Sequence, residues 1–230
     1  MKSLSNSFWS AIVPSAYCFF TLFGWVTCQD SLAVSAQAPY RLEMLLRCTR
    51  EATILKALQL METPSAQESL DKIVQKPMRI VFKDMKTLNK SLKNYDALSW
   101  ISSHGEQVIF INEKHRNAPP EALAALLAHE AMHNDTLNSM NEEVCGWRRE
   151  AEVWLALTPK TAMETNTDAF TLIARENRIA KEYKQQTLNN FVRQNPAYRN
   201  LPETSPGFEQ VETRAAMLPA LNVKETGNSQ

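Results

Sequence analysis

The sequence predicts an α+β fold, with a small, mostly antiparallel sheet of about three strands packed with four to five helices. Three observations predict it. The runs "MRIVF" and "VIFIN" are rich in β-branched and aromatic residues and read as strands. Long segments with apolar residues at helical spacing flank them. An alanine- and leucine-rich run, "PPEALAALLAHEAMHND", follows a proline pair that suits the first turn of a helix, where a missing N–H costs nothing.

At 230 residues the chain is long enough for one domain with a real core. Lysine plus arginine (25) equals aspartate plus glutamate (25), so no basic excess marks a nucleic-acid binder, and none is expected as a partner. Only 5 glycines occur, with no Gly-rich phosphate loop and no repeat period.

The first residues differ from the rest. No charge lies between Ser3 and Gln29, and Lys2 precedes the run. Val34-Ser35-Ala36 has the small-residue pattern of a signal-peptidase site, so residues 1–36 read as a signal peptide cleaved after Ala36. An uncleaved anchor is the alternative, because about 20 apolar residues can span a bilayer. The body is expected to be exported, periplasmic or secreted, with membrane contact only if the segment is retained. Residues 37–201 form the expected domain and residues 202–230 a weakly ordered tail. Cys48 and Cys145 remain in the mature chain, either as a disulfide or as two small buried thiols.

Along the mature chain, Leu42, Leu45, Leu46, Thr49, Ile54 and Leu58 predict a helix over about 39–61. "SAQESLDKIVQ" adds a shorter one that Pro77 ends. "ALSWISS" and "VIFIN" read as strands joined through a turn at His104-Gly105. The helix that opens at the proline pair is expected to run to about Asn134. Ser139 with Glu142 three residues later has the form of a capping box, and starts a helix through "NEEVCGWRREAEVWLAL". A last long helix is expected from about Asp168 to Arg193.

The chemistry concentrates in His129-Glu130-x-x-His133. A helix turns 100° per residue, so His129 and His133 share a face one turn apart and can reach one metal ion. Glu130 lies beside them. It would act as general base on the water that a zinc ion holds and acidifies. One zinc per chain is expected, with a third protein ligand and an open position.

"HEAMH", followed by "EEVCGW", resembles the zinc-dependent metallopeptidases of the gluzincin kind, over roughly Trp100 to Trp154. The resemblance implies a zincin-like active-site helix and a third ligand, a glutamate, on the next helix. Glu143-Val-Cys-Gly146 fits a Glu-x-x-Ala setting with glycine for alanine, where a small residue lets two helices approach. Glu143 is therefore the expected ligand, with Glu142 and Asp135 as alternatives and Asp135 also able to orient an imidazole. Glu150 shares a face with Glu143 two turns on, and Glu152 lies further along. The resemblance also implies that "VIFIN" is an edge strand along which a substrate backbone lies. A later tyrosine, Tyr183 or Tyr198, would stabilise an oxyanion.

Other residues read more plainly. His104 and His115 are expected in surface or loop positions. Trp147 and Trp154, seven apart, read as core packing. Arg175 and Arg178 read as a solvated helix face. The function expected is zinc-dependent hydrolysis of peptide bonds, in a peptide or protein substrate, outside the cytoplasm. A non-catalytic exported metal-binding protein, its site closed by a fourth ligand such as Asp135 or His115, and a metal-free interaction protein are the alternatives.

Overall fold

A computed structural model describes residues 41–102, 104–133, 136–158 and 171–207. All belong to one compact unit, Ala38–Gln230. The expected signal peptide or anchor, Asp135 and the tail beyond residue 207 lie outside the described residues. No described helix is long and apolar enough to cross a membrane.

The predicted 39–61 helix is two helices, α1 over 41–48 and α2, Ala52–Leu60. The Thr49 hydroxyl accepts the Glu51 N–H at 3.1 Å, a local bond that competes with continuing the helix. The Cys48 thiol donates to the carbonyls of Met44 and Ile73, the latter in α3 (Gln67–Gln75). Of the two alternatives for the cysteines, the disulfide is not formed, and Cys48 is buried and Cys145 half-buried.

Strands β1 (Arg79–Lys83), β2 (Ala97–Ile101) and β3 (Gln107–Asn112) form one sheet in the order β1-β3-β2. β2 pairs antiparallel with β3 through a tight hairpin in which Gly105 takes φ 79°, while β1 pairs parallel with β3, Ile80 opposite Ile109. The sheet is mixed, not mostly antiparallel. The hairpin fills one side of β3 only, and the long connection from residue 84 to 96 carries the chain past β3 to its far side. "VIFIN" is thus the central strand and the expectation of an edge strand there fails. The edge is β2.

The sheet's inner face packs on α4 (Pro120–Glu130). Ile80, Ile109 and Ile111 meet Leu123, Leu126 and Leu127 of α4 and Ile54 and Leu58 of α2 in one core. Each such burial is worth about 1.5–3 kcal/mol, which fixes α4 in the middle of the molecule. Its alanines let neighbours approach on every side, and nine of its residues are buried.

α5 (Met140–Leu157) crosses α4, with Ser139 as N-cap accepting the Glu142 N–H at 3.3 Å. The expected last helix is broken into α6 (Leu172–Lys184) and α7 (Leu188–Arg193). Gln186 adopts φ 59°, the Gln186 N–H returns to Tyr183 O, and the Thr187 N–H returns to Glu182 O. That left-handed C-terminal motif stops a helix even without glycine. Beyond α7 the chain turns back, and the carbonyls of Pro202 and Glu203 accept the N–H groups of Met140 and Asn141 at the start of α5. These are helix-terminal donors with no partner inside the helix.

Candidate metal centre

α4 ends at Glu130, earlier than predicted. Ala131 caps it, and a shorter-range bond from the Met132 N–H to His129 O at 2.8 Å tightens the turn that carries His133. Gln107 at the start of β3 donates to His133 O at 3.3 Å and pins this turn to the sheet. The spacing still brings the two imidazoles together, with ring centroids 5.5 Å apart.

α5 supplies the groups that meet them. Both Nε2 atoms face the carboxylate of Glu143, at 3.6 Å from His129 and 3.9 Å from His133. Both Nδ1 atoms face other buried glutamates of α5: His129 lies 3.0 Å from Glu150 and His133 lies 3.7 Å from Glu142. A carboxylate on Nδ1 fixes the tautomer and turns Nε2 outward, the arrangement usual behind metal-ligating histidines. The capping box is therefore half formed. Ser139 caps the helix, Asn138 Oδ1 takes the Ser139 N–H, and Glu142 turns inward instead. Ser205 of the returning segment lies 3.5 Å from Glu142 and is itself buried.

Glu130 completes a group of donor atoms from His129, Glu130 and His133 within 4.8 Å of one another, a set that could hold a metal ion. Its Oε2 is buried and lacks any hydrogen-bond partner. Glu143 is instead firmly held, by the Asn138 amide and by the Trp147 indole N–H at 3.2 Å. The Glu143 carboxylate thus turns Oε2 toward His129 Nε2 and Oε1 toward His133 Nε2, while Glu130 Oε2 lies 4.0 Å from His133 Nε2. A zinc ion with bonds of 2.0–2.2 Å holds its donors about 3.4 Å apart, against 3.6 and 3.9 Å from the Glu143 carboxylate to the two Nε2 atoms. Gly146 allows the approach. A Cβ there would lie 2.9 Å from His129 Cδ2 and 3.0 Å from its Nε2.

The charges are ones that a cation could balance. Burial opposes a proton on His129, but Glu143 and Glu150 outweigh it and push the imidazole up to about 10. Burial likewise opposes a proton on His133, yet Glu142, Glu130 and Glu143 raise its pKa. Burial works against ionisation of Glu143 too, and His129 and His133 nevertheless lower it to about 2. Burial raises Glu130. A set of buried carboxylates that draws protons onto two imidazoles is one that a divalent cation satisfies in their place, with release of protons.

A second shell was hidden in the sequence. Arg175 of α6, expected to be solvated, has a side chain only 20% exposed. It pairs with Glu150, with Glu176 at 2.8 Å and with Asp96 at 3.1 Å, and its guanidinium stacks 5.0 Å from the Trp147 ring. Glu176 is fully buried; burial and the neighbouring Glu150 push its carboxyl well up and keep it neutral. Asp96 also holds the buried His115 at 2.7 Å. His115 is thus interior rather than on a loop surface, and it is spoken for by Asp96. His104 is exposed, as expected.

A cleft of about 640 Å³ opens over the two histidines, Glu130 and Glu143, with residues 94–101 as one wall and Tyr198 and Leu201 opposite. Both tryptophans pack in the core as expected; Trp147 also lines the cleft, and Trp154 bonds Asn177. Tyr198 accepts the Trp147 N–H at 3.2 Å, and its phenol is pushed up by burial and by Glu143. Tyr183 is elsewhere, donating to Glu152. No family model, curated protein or solved structure matches the chain.

Proposed function

We propose that the chain is a zinc-dependent metallopeptidase that hydrolyses peptide bonds outside the cytoplasm. One observation carries the reading. Two histidine Nε2 atoms converge on one carboxylate, Glu143, beside a buried and unpartnered carboxylate oxygen of Glu130. His129, His133 and Glu143 would hold the ion. Once bound, zinc supplies Lewis acidity to a water and to the scissile carbonyl.

The chain's own groups do the rest. Glu130 Oε2 takes the proton of the attacking water and delivers it to the leaving amide nitrogen, a role usually worth 10²–10⁴ in rate. The Tyr198 phenol, kept protonated by its surroundings, donates to the oxyanion that forms. The substrate backbone pairs with the free edge of β2, which walls the cleft, rather than with β3. The competing reading of a closed metal store is not favoured by His115, since Asp96 engages it.

The first test is metal content of the purified chain by plasma mass spectrometry, beside His133→Ala. About one zinc per chain, lost in the variant, is expected. Glu130→Gln should then keep the zinc and lose at least about 10²-fold in hydrolysis of fluorescent casein. Full activity in that variant refutes the mechanism.

A further inference from the structure

The chain's charges balance overall, yet they are not spread evenly. Residues 76–95 hold six basic side chains, Lys76, Arg79, Lys83, Lys86, Lys90 and Lys93, and a single acid, Asp84. All six are exposed. Ion pairs among the described residues use none of them; the nearest, at Lys114, belongs to Asp96. Asp84 is occupied in capping a short turn, Met85–Thr87.

Apolar side chains also face water in this stretch and just beyond it. Leu88 is 39%, Tyr95 40% and Trp100 52% exposed, three of the five large hydrophobics exposed in the described chain. The sheet's register extends this surface. Trp100 sits opposite Val108 and Arg79, and Leu98 opposite Phe110 and Val81, so these side chains share the outer face of the sheet. The apolar ones are only partly buried, and none packs against either core cluster. The result is an apolar sheet face with a lysine-bearing loop beside it.

We propose that this face docks on a membrane surface rich in anionic lipid. Charge complementarity selects phosphate-bearing headgroups, and the interleaved Leu88, Tyr95 and Trp100 supply the part that enters the acyl boundary. Lysines that lie flat on apolar surface and extend their ammonium groups outward, with tryptophan and tyrosine at headgroup depth, are what an interfacial contact requires. A nucleic acid would use the charges but leave the aliphatic part of the face wet. Tyr95 and Trp100 also line the cleft, so docking sets the cleft mouth at the bilayer surface. The proposal does not depend on zinc or on catalysis.

The test is co-sedimentation of the full chain with vesicles of phosphatidylcholine alone or with about a third phosphatidylglycerol. Substitutions in the lysine-bearing loop leave the N-terminal apolar segment intact, so their effect on the difference reports the face. Anionic vesicles should bind at least about tenfold tighter, and salt should weaken this, since each surface lysine contributes roughly a factor of five. Lys86→Glu/Lys90→Glu/Lys93→Glu should erase the preference while leaving the circular dichroism spectrum unchanged. Trp100→Phe should remove part of the lipid-induced blue shift of the emission. Equal binding to both vesicles overturns the proposal, as does a preference that survives the triple substitution. Tighter binding to RNA than to anionic vesicles at equal phosphate overturns it as well.

Discussion

Gly146→Ala tests the centre at its narrowest point. Glycine in mid-helix costs about 1 kcal/mol relative to alanine, so helix propensity alone makes the substitution stabilising. The structure reverses that expectation for the metal. The new methyl would stand 2.9 Å from His129 Cδ2, 3.0 Å from Nε2 and 3.1 Å from Cγ. Ordinary carbon contacts lie at 3.5–4.0 Å, so the ring and methyl must part by roughly half an ångström. The ring cannot swing aside freely, because Glu150 holds Nδ1 at 3.0 Å. Metal–ligand distances tolerate about 0.2 Å, so the displacement exceeds what the site absorbs, and zinc affinity should fall by about 10- to 100-fold. Overpacking of about 1–3 kcal/mol set against the propensity gain leaves the metal-free stability lower by at most about 2 kcal/mol. Competition with a chromophoric chelator reads the affinity, and urea unfolding of the metal-free protein reads the stability. Wild-type zinc affinity in Gly146→Ala would refute the placement of His129 as a ligand through Nε2.

Three further outcomes follow from the surrounding shell. Glu150→Gln strips the carboxylate from His129 and from Arg175 together, and should cost about 3–5 kcal/mol of stability by urea unfolding, beside a loss of zinc affinity. For Asp96, burial opposes ionisation but His115, Arg175 and Lys114 prevail and hold its carboxyl well below the usual range. A depressed carboxyl stabilises above its unfolded pKa and loses that contribution as pH falls. The wild-type advantage over Asp96→Asn should therefore be full at pH 7 and shrink below about pH 4, as thermal unfolding at a series of pH values would show. Burial pushes the Cys48 thiol up to about 11, so iodoacetamide at pH 8 should modify it only after urea unfolds the chain. Prompt labelling of Cys48 in the native protein would contradict its buried position.

Much of the fold was legible because periodicity reports burial. The strand "VIFIN", the α4 start at the proline pair and the α5 start at Ser139 all follow from local chemistry that nothing distant overrides. The helix breaks at Thr49 and Gln186 were not legible, since each depends on one backbone bond between residues that elsewhere sit well in helices. Strand order was invisible for another reason. Alternation tells which face is buried and not which neighbour lies alongside, so β3 could not be known to be central. At the site, the His-Glu-x-x-His spacing and Glu143 were readable as a pattern. Glu150 was noticed only for sharing a face with Glu143. Arg175 was misread because a charged residue at that helix position is usually solvated, and only the placement of α6 against α5 shows that Glu150, Glu176 and Asp96 surround it.

Glu142, Glu143 and Glu150 ride on one helix, and all three reach His129 near the end of α4 or His133 in the turn after it. A helix is stiff over two turns, so these carboxylates advance or withdraw in concert. Parting α4 from α5 would therefore withdraw all three from the imidazoles at once, and any change in the tilt of α5 would reach every one of these contacts together.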